Sequence, residues 1–391
     1  MRDDKPMNNK LFIVVNQDSF FLSHRLPIGV SAKEAGYDVT IVCEDTGSLG
    51  KITEAGLRTI NLPIDKAGMN IREELRTFWF LYRIFMDQKP DIVHLVGLKT
   101  MLWGSLACKL AGVSSMVSAV CGLGVLFDEN HRDSFISRMI LKVLKYTHKG
   151  DNVRVIFQNN EDKRLFLDSG VITSDRCAVT NGSGVDLKEY DYSPEPEGGT
   201  VNVIFTARMV EEKGTLVLID AARRLEPDYK GKVRFFLCGG LDTNPHGITR
   251  EKLEELCDGF YVHWLGYRDD VKELLKRSHI MAFPSWYREG LPKSVIEAEA
   301  LGRPVVTTDS VGCRDTVVDG YNGFIVSPRD PEQLAAALRR LIDAPTLRRE
   351  MGRNAREFAE RKFDIRDVVT VHLCVYQELC GSKESRCGRN K

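Results

Sequence analysis

Neither sign of charge predominates in this chain of 391 residues, because 55 lysines and arginines are balanced by 55 aspartates and glutamates. Nucleic-acid binding by bulk electrostatics, which needs a surplus of cations to displace condensed counterions, is therefore excluded. Long apolar runs are also missing. The opening MRDDKPMNNK has no apolar segment of the signal-peptide kind, and no stretch of about eighteen apolar residues occurs, so the expectation is that nothing spans a membrane as a helix. The ten cysteines are scattered without a C-x-x-C pair or metal-ligand spacing, which predicts reduced thiols, a cytoplasmic setting and no metal site. No G-x-G-x-x-G follows the first apolar strand, which argues against a dinucleotide cofactor on the first half.

An apolar content of 43% suits a soluble protein, and the length is too great for one ordinary core but fits two α/β domains. Short apolar runs alternate with helical segments along the first half, at 11–15, 37–43, 57–62, 91–95, 116–120 and 153–157. Such alternation predicts a parallel sheet with helical crossovers. A loop is expected over 16–23, offering Asn16, with His24 at the following helix start. The segment 193–199, SPEPEGG, has linker composition. The expected organisation is a first domain over 1–192, a linker at 193–199, a second domain over 200–365, a last helix over 366–380 and a polar tail over 381–391.

Chemistry concentrates in 280–309, IMAFPSWYREGLPKSVIEAEALGRPVVTTD, which reads as strand, loop, helix and strand. Glu289 falls in the loop at the carboxyl edge of a parallel strand, where open α/β sheets bind ligands. The amides of Gly290, Leu291 and the helix start favour an anion beside it. Glu297, eight positions on, stands among Val295, Ile296, Ala298 and Ala300, where a carboxylate needs hydrogen-bond partners. Ligand hydroxyls would serve. On spacing alone the alternative stays open, that Glu289 pairs with Arg288 and Glu297 is a solvated helix residue. Arg208 and Lys213, at the end of the strand 201–207 and the start of the next helix, are placed as phosphate ligands are; pairing with Glu211 and Glu212 is the other reading.

The string EGLPKSVIEA, followed by GRPVV and by VGCRDTVVDGYNGFIV, closely resembles the donor site of the retaining glycosyltransferases of family 4. The resemblance extends over nearly the whole chain. It implies an α/β fold of the GT-B type, two Rossmann-like domains facing across a cleft, and metal-independent transfer of an N-acetylhexosamine or hexose from a UDP-sugar, with no further cofactor. Arg208 and Lys213 would hold the diphosphate, Glu289 the donor sugar and Glu297 the ribose, while Gly266 and Tyr267 would edge the nucleobase pocket. Asn16, His24, Gly122 and Gly124 would lie on the acceptor and sugar side. Some relatives carry a histidine at the position of Cys121, so that contact is in doubt here.

The finer likeness is to bacterial members that extend surface polysaccharides or glycan precursors, implying a polyprenyl-diphosphate-linked saccharide as acceptor. A basic amphipathic helix over 132–149 fits this. Arg138, Lys142, Lys145 and Lys149 repeat at helical spacing, a pattern that suits the anionic inner face of the cytoplasmic membrane, although a solvated helix face would read the same way. The aromatics at 78–85 read as core. A nucleotide-sugar epimerase of the same architecture and a noncatalytic nucleotide-sugar-binding protein are the rival readings.

Overall fold

The computed structural model describes residues 9–64, 71–127, 134–242 and 247–381. It divides into two compact units, Met1–Ser183 with Ile365–Lys391, and Gly184–Asp364. The residues 382–391, which make up nearly all of the expected polar tail, lie outside the described ones, as do Arg132 and Asp133 of the basic stretch.

The first unit comprises, in chain order, β1 (Lys10–Gln17), α1 (Asp18–His24), α2 (Leu26–Glu34), β2 (Asp38–Glu44), α3 (Leu49–Glu54), β3 (Arg58–Asn61), α4 (Ile71–Gln88), β4 (Ile92–Val96), α5 (Leu98–Ala111), β5 (Ser115–Val120), α6 (Phe135–Thr147), β6 (Val153–Phe157), α7 (Asn160–Asp168) and β7 (Cys177–Val179). Its seven strands are ordered β3-β2-β1-β4-β5-β6-β7, and every pairing is parallel. Strands covered on both faces need apolar side chains on both. β1 and β4 accordingly bury almost every residue. One face packs under α4, α5 and α6 through Phe78, Phe85, Met101, Ile140 and Leu144. The other packs under α1, α2 and the final helix, which contributes Val368, Val375 and Tyr376.

The second unit comprises β8 (Val201–Thr206), α8 (Thr215–Tyr229), β9 (Val233–Cys238), α9 (Arg250–Leu256), β10 (Val262–Trp264), α10 (Val271–Lys276), β11 (Ile280–Phe283), α11 (Lys293–Ala300), β12 (Val305–Thr308), β13 (Gly323–Val326), α12 (Pro331–Asp343) and α13 (Pro345–Lys362). α14 (Ile365–Leu379) then returns to the first unit. The strand order is β10-β9-β8-β11-β12-β13. Winding outward from β8 in both directions leaves β8 and β11 adjacent with their crossovers diverging. That is the topological switch point of an open α/β sheet.

Several expectations from the sequence need adjustment. The loop expected over 16–23 does not exist, since β1 runs to Gln17 and α1 begins at Asp18. The buried Asp18 carboxylate explains this, because it accepts the amides of Ser19, Thr46 and Ser48 at 2.6, 2.9 and 2.7 Å and ties the chain down at the strand end. The proline-rich segment 193–199 falls inside the second unit, where Glu195 forms a two-pronged ion pair with Arg348. The unit division comes earlier, at Ser183. α6 ends at Thr147, so Lys149 lies beyond the helix it was expected to share. Among the aromatics read as core, Phe78 and Phe85 are buried, but Trp79 is 55% exposed.

Buried ionisable groups in each unit make stability depend on pH. In the first, burial holds His94 well below the ordinary histidine value, His148 at about 4 and His372 at about 3. The unfolded chain takes up protons below about pH 6.5 that the folded one refuses, so stability is present above that pH and is lost as pH falls. Urea unfolding should weaken between pH 7 and 5 by about 1.4 kcal/mol per pH unit for each histidine titrating only in the unfolded state. A His372→Leu variant should show a shallower slope. In the second unit, Glu299 is fully buried on α11 and accepts Asn322 Nδ2 at 2.7 Å. Burial pushes its carboxyl well above the ordinary value, so its contribution is full at low pH and is lost as pH rises from about 4.5. Glu299→Gln, which keeps the acceptor without the ionisation, should raise the urea midpoint at pH 7 and leave it little changed at pH 4.

Candidate functional site

At the switch point of the second sheet, two loops leave adjacent strand ends. The β8–α8 loop carries Arg208 and Lys213, and the β11–α11 loop carries Glu289. Backbone contacts stitch them together. The amides of Trp286 and Tyr287 donate to the Glu212 carbonyl at 2.9 and 3.1 Å. Gly214 opens α8 with φ near +83°, and a Cβ there would stand 2.1 Å from the Pro284 carbonyl oxygen, so only glycine permits this approach. A similar constraint holds Gly312, where a Cβ would come within 2.1 Å of the Gly290 oxygen.

This frame brings Lys213 and Glu289 into a direct ion pair, with both side chains largely withdrawn from solvent. Ser285 Oγ lies 3.1 Å from Glu289 Oε1, and Lys213 Nζ also sits 5.1 Å from the centre of the Tyr287 ring. The two named residues thus meet each other in a long-range contact between neighbouring loops. Arg208 is the more exposed cation and pairs with Asp242, just past the end of β9. Burial, with the Glu289 charge as the next cause, pushes the Tyr287 hydroxyl above its usual range.

Glu297 lies on α11 and is only 12% exposed at its side chain. It is not a solvated helix residue. Lys293, one turn earlier, reaches it at 3.0 Å, and Tyr190 bonds it from the segment before β8. Burial and that carboxylate together push the Tyr190 phenol upward. Pro292 is the N-cap of α11 rather than a residue of its first turn and supplies no capping side chain. Gly290 and Leu291 are buried beside it. The Gly239 amide donates to the Gly266 carbonyl at 2.8 Å, joining the loop ends after β9 and β10, and Tyr267 is 76% exposed.

The remaining expected positions belong to the first unit. Asn16 lies in β1 with its side-chain oxygen buried and without a hydrogen-bond partner. His24 closes α1, stacking on Phe20 at 4.3 Å and contacting Ser23 Oγ through Nδ1 at 2.6 Å. Gly122 and Gly124 follow β5 with positive φ. Arg25, 1% exposed, donates to the sulfur of Cys121 at 2.9 Å.

Sequence reasoning missed Asp242, Ser285, Tyr287, Lys293 and Tyr190 as partners of the named residues. Lys293 was legible, since Lys293 and Glu297 are four apart on one helix. Asp242 and Ser285 each follow a strand end beside β8, so strand order would have revealed them. Tyr190 had no such signal. Among the described residues, no group of three or more His, Cys, Asp or Glu is placed to hold a metal ion, and no helix is long and apolar enough to cross a membrane.

Known proteins resemble the chain across both units. A family model described as glycosyl transferases group 1 matches residues 200–344, and one described as glycosyl transferase 4-like matches residues 10–160. The chain is 27% identical over 380 residues to an N,N'-diacetylbacillosaminyl-diphospho-undecaprenol α-1,3-N-acetylgalactosaminyltransferase of Campylobacter jejuni, covering 92% of this chain and 98% of that protein. It is 32% identical to the capsular polysaccharide biosynthesis glycosyltransferase CapM of Staphylococcus aureus, covering 91% and 93%. The solved structure of HepE from Anabaena, in complex with UDP, aligns with a TM-score of 0.73 at 18% identity over 95% of this chain and 99% of that one. With both Rossmann-like units matched by family models and a relative 32% identical over nearly its whole length, the chain belongs to the family 4 glycosyltransferases, enzymes of the GT-B fold.

Proposed function

We propose that the protein transfers a sugar, an N-acetylhexosamine or a hexose, from a UDP-sugar to a polyprenyl-diphosphate-linked saccharide, with retention of anomeric configuration and without a metal ion, in the assembly of a bacterial surface polysaccharide or glycan. The observation that carries this reading is the meeting of Lys213 and Glu289 at the carboxyl ends of β8 and β11. A cation for phosphate oxygens and a carboxylate for sugar hydroxyls stand side by side where an open sheet binds its ligand. The acceptor class is supported by the Campylobacter relative, whose name specifies a diphospho-undecaprenol-linked acceptor.

In this reading the donor diphosphate lies against Arg208, Lys213 and the N-terminus of α11. Negative charge grows on the leaving phosphate as the bond to the anomeric carbon breaks, and these fixed cations and dipoles stabilise it. Glu289 orients the sugar hydroxyls and stabilises the positive character of the anomeric carbon. Glu297, braced by Lys293 and Tyr190, takes the ribose hydroxyls, and the Gly266–Tyr267 turn borders the base. The acceptor hydroxyl attacks from the face the diphosphate leaves, and its proton passes to the departing phosphate oxygen. No protein base is needed. Gly122, Gly124, Asn16 and His24 are assigned to the acceptor and sugar side. The enzyme works at the inner face of the cytoplasmic membrane, held by Arg138, Lys142, Lys145 and Lys149, all of which are exposed.

Release of UDP from a panel of UDP-sugars, with and without lipid extract and with and without EDTA, tests the reaction. Acceptor-dependent release that resists EDTA, and that falls at least a hundredfold in Glu289→Ala, is expected. An isomerised UDP-sugar without acceptor would point instead to an epimerase, and donor binding without release across all lipid fractions to a binding protein.

The ion pairs of the donor-free site make a second prediction. Arg208 must leave Asp242 to engage a diphosphate, so the two anions compete. Asp242→Asn should tighten UDP binding by about two- to fivefold, the size of an exposed ion pair, whereas Arg208→Ala should weaken it about tenfold or more. Calorimetric titration of UDP reads both, and weaker binding in Asp242→Asn would overturn the competition.

A further inference from the structure

The first unit exposes an uneven surface. Every large apolar side chain that its described residues leave exposed lies on α4, α5 or α6. These helices form one layer over the same face of the sheet. α4 is tied to α5 by Glu74, which pairs with Lys99 and accepts the Trp103 indole N–H. α5 is tied to α6 by Ser105 Oγ donating to Thr147 Oγ1 at 2.9 Å. The outward faces of the two flanking helices therefore look away from the sheet on the same side.

At 100° per residue, the face of α4 opposite its buried Phe78, Leu81 and Phe85 presents Arg72, Arg76, Trp79, Arg83 and Met86. The matching face of α6 presents Phe135, Arg138, Met139, Lys142 and Tyr146. Met139 thus joins the cations rather than opposing them, contrary to the sequence pattern. No acidic residue occurs on α5 or α6. Of the acids on α4, Glu74 is turned toward α5, whereas Asp87, one turn after Arg83, shares the outward face, and Glu73 in the first turn stands three residues before Arg76. An open groove of about 450 Å³ beside α4 is lined by Asn61, Pro63, Arg76, Trp79, Phe80 and Arg83. Two guanidinium groups lie at this groove with apolar and aromatic walls between them.

We infer that α4 is a second bilayer-contacting element, forming with α6 one interfacial surface for anionic lipid, and that the α4 groove seats a lipid headgroup phosphate between Arg76 and Arg83 with the adjoining methylenes against Trp79. This inference rests on the peripheral-membrane reading above and extends it to a helix whose aromatics look like core in sequence. Charge complementarity selects the occupant. A layer in which cations outnumber acids and Trp, Phe, Tyr and Met side chains are half-exposed suits the boundary between headgroups and acyl chains, where aromatic rings and arginines are both favoured. In a protein with no net charge, this concentration on one layer is a local property.

Co-sedimentation of the full chain with phosphatidylethanolamine–phosphatidylglycerol vesicles, against neutral phosphatidylcholine vesicles, tests the surface. Arg76→Gln with Arg83→Gln is compared with Lys142→Gln with Lys145→Gln, and UDP affinity serves as the check that each variant is folded. The wild type should partition onto the anionic vesicles alone. Each double variant should lose about 30-fold in partition, as expected for two cations near an anionic surface. Brominated phosphatidylglycerol should quench the wild-type tryptophan emission, and this quenching should be largely absent in Trp79→Phe. If the α6 variant loses binding while the α4 variant partitions like the wild type, the α4 surface is overturned and the peripheral reading survives. If the wild type ignores anionic vesicles, both fall. A wild-type dimer that the α4 variant converts to monomer, with no vesicle binding, would assign the face to a second copy of the chain instead.

Discussion

The ion pair between Lys213 and Glu289 depends on the adjacency of β8 and β11, and the proposed donor site depends on the pair. These residues are 76 positions apart, yet a parallel sheet that winds outward from β8 in both directions must bring the two strand ends together. Each strand ends in a loop on the same edge, because parallel strands all finish there. Two opposite charges in a half-buried setting then hold each other in place. Neither is well hydrated, and each would be costly alone. The arrangement keeps a lysine and a carboxylate together at one edge of the sheet.

The glycines at 214 and 312 make that adjacency tight enough to matter. A methyl group at either position would overlap a backbone carbonyl of the neighbouring loop, and the loops would have to separate by more than an ångström. The Ser285 hydroxyl, close to both the Glu212 carbonyl and the Glu289 carboxylate, would then lose one of its partners. Site geometry and backbone packing are thus one problem in this unit.

Much of this was legible in the sequence. The strand and helix alternation gave the two Rossmann-like units, because continuous apolar runs and amphipathic segments are local properties. The expectation that Glu289 falls in a loop and Glu297 in the following helix matches where α11 lies. What was not legible depended on which strands become neighbours. Asp242 looked like an ordinary loop acid until β9 was seen beside β8. The unit division at Ser183 was hidden because proline-rich composition at 193–199 marks irregular backbone, while the Glu195–Arg348 pair, joining residues 153 apart, decides which unit owns it. Likewise Trp79 and Phe78 are adjacent in sequence, and only the placement of the sheet distinguishes the exposed one from the buried one.

The two glutamates of α11 show most directly what a fold adds to a motif. Glu297 and Glu299 are two residues apart, about 200° around the helix, so they must face nearly opposite directions. Glu297 turns toward Lys293 and Tyr190, which hold its carboxylate by an ion pair and a hydrogen bond. Glu299 turns into the core, where its one described partner is Asn322 and burial favours the protonated form. An acid at 299 is therefore a structural hydrogen-bonding group that costs stability when it ionises, whereas the acid at 297 is paired with Lys293 one turn earlier. The same side chain on the same helix has different chemistry because the sheet lies on only one side of it.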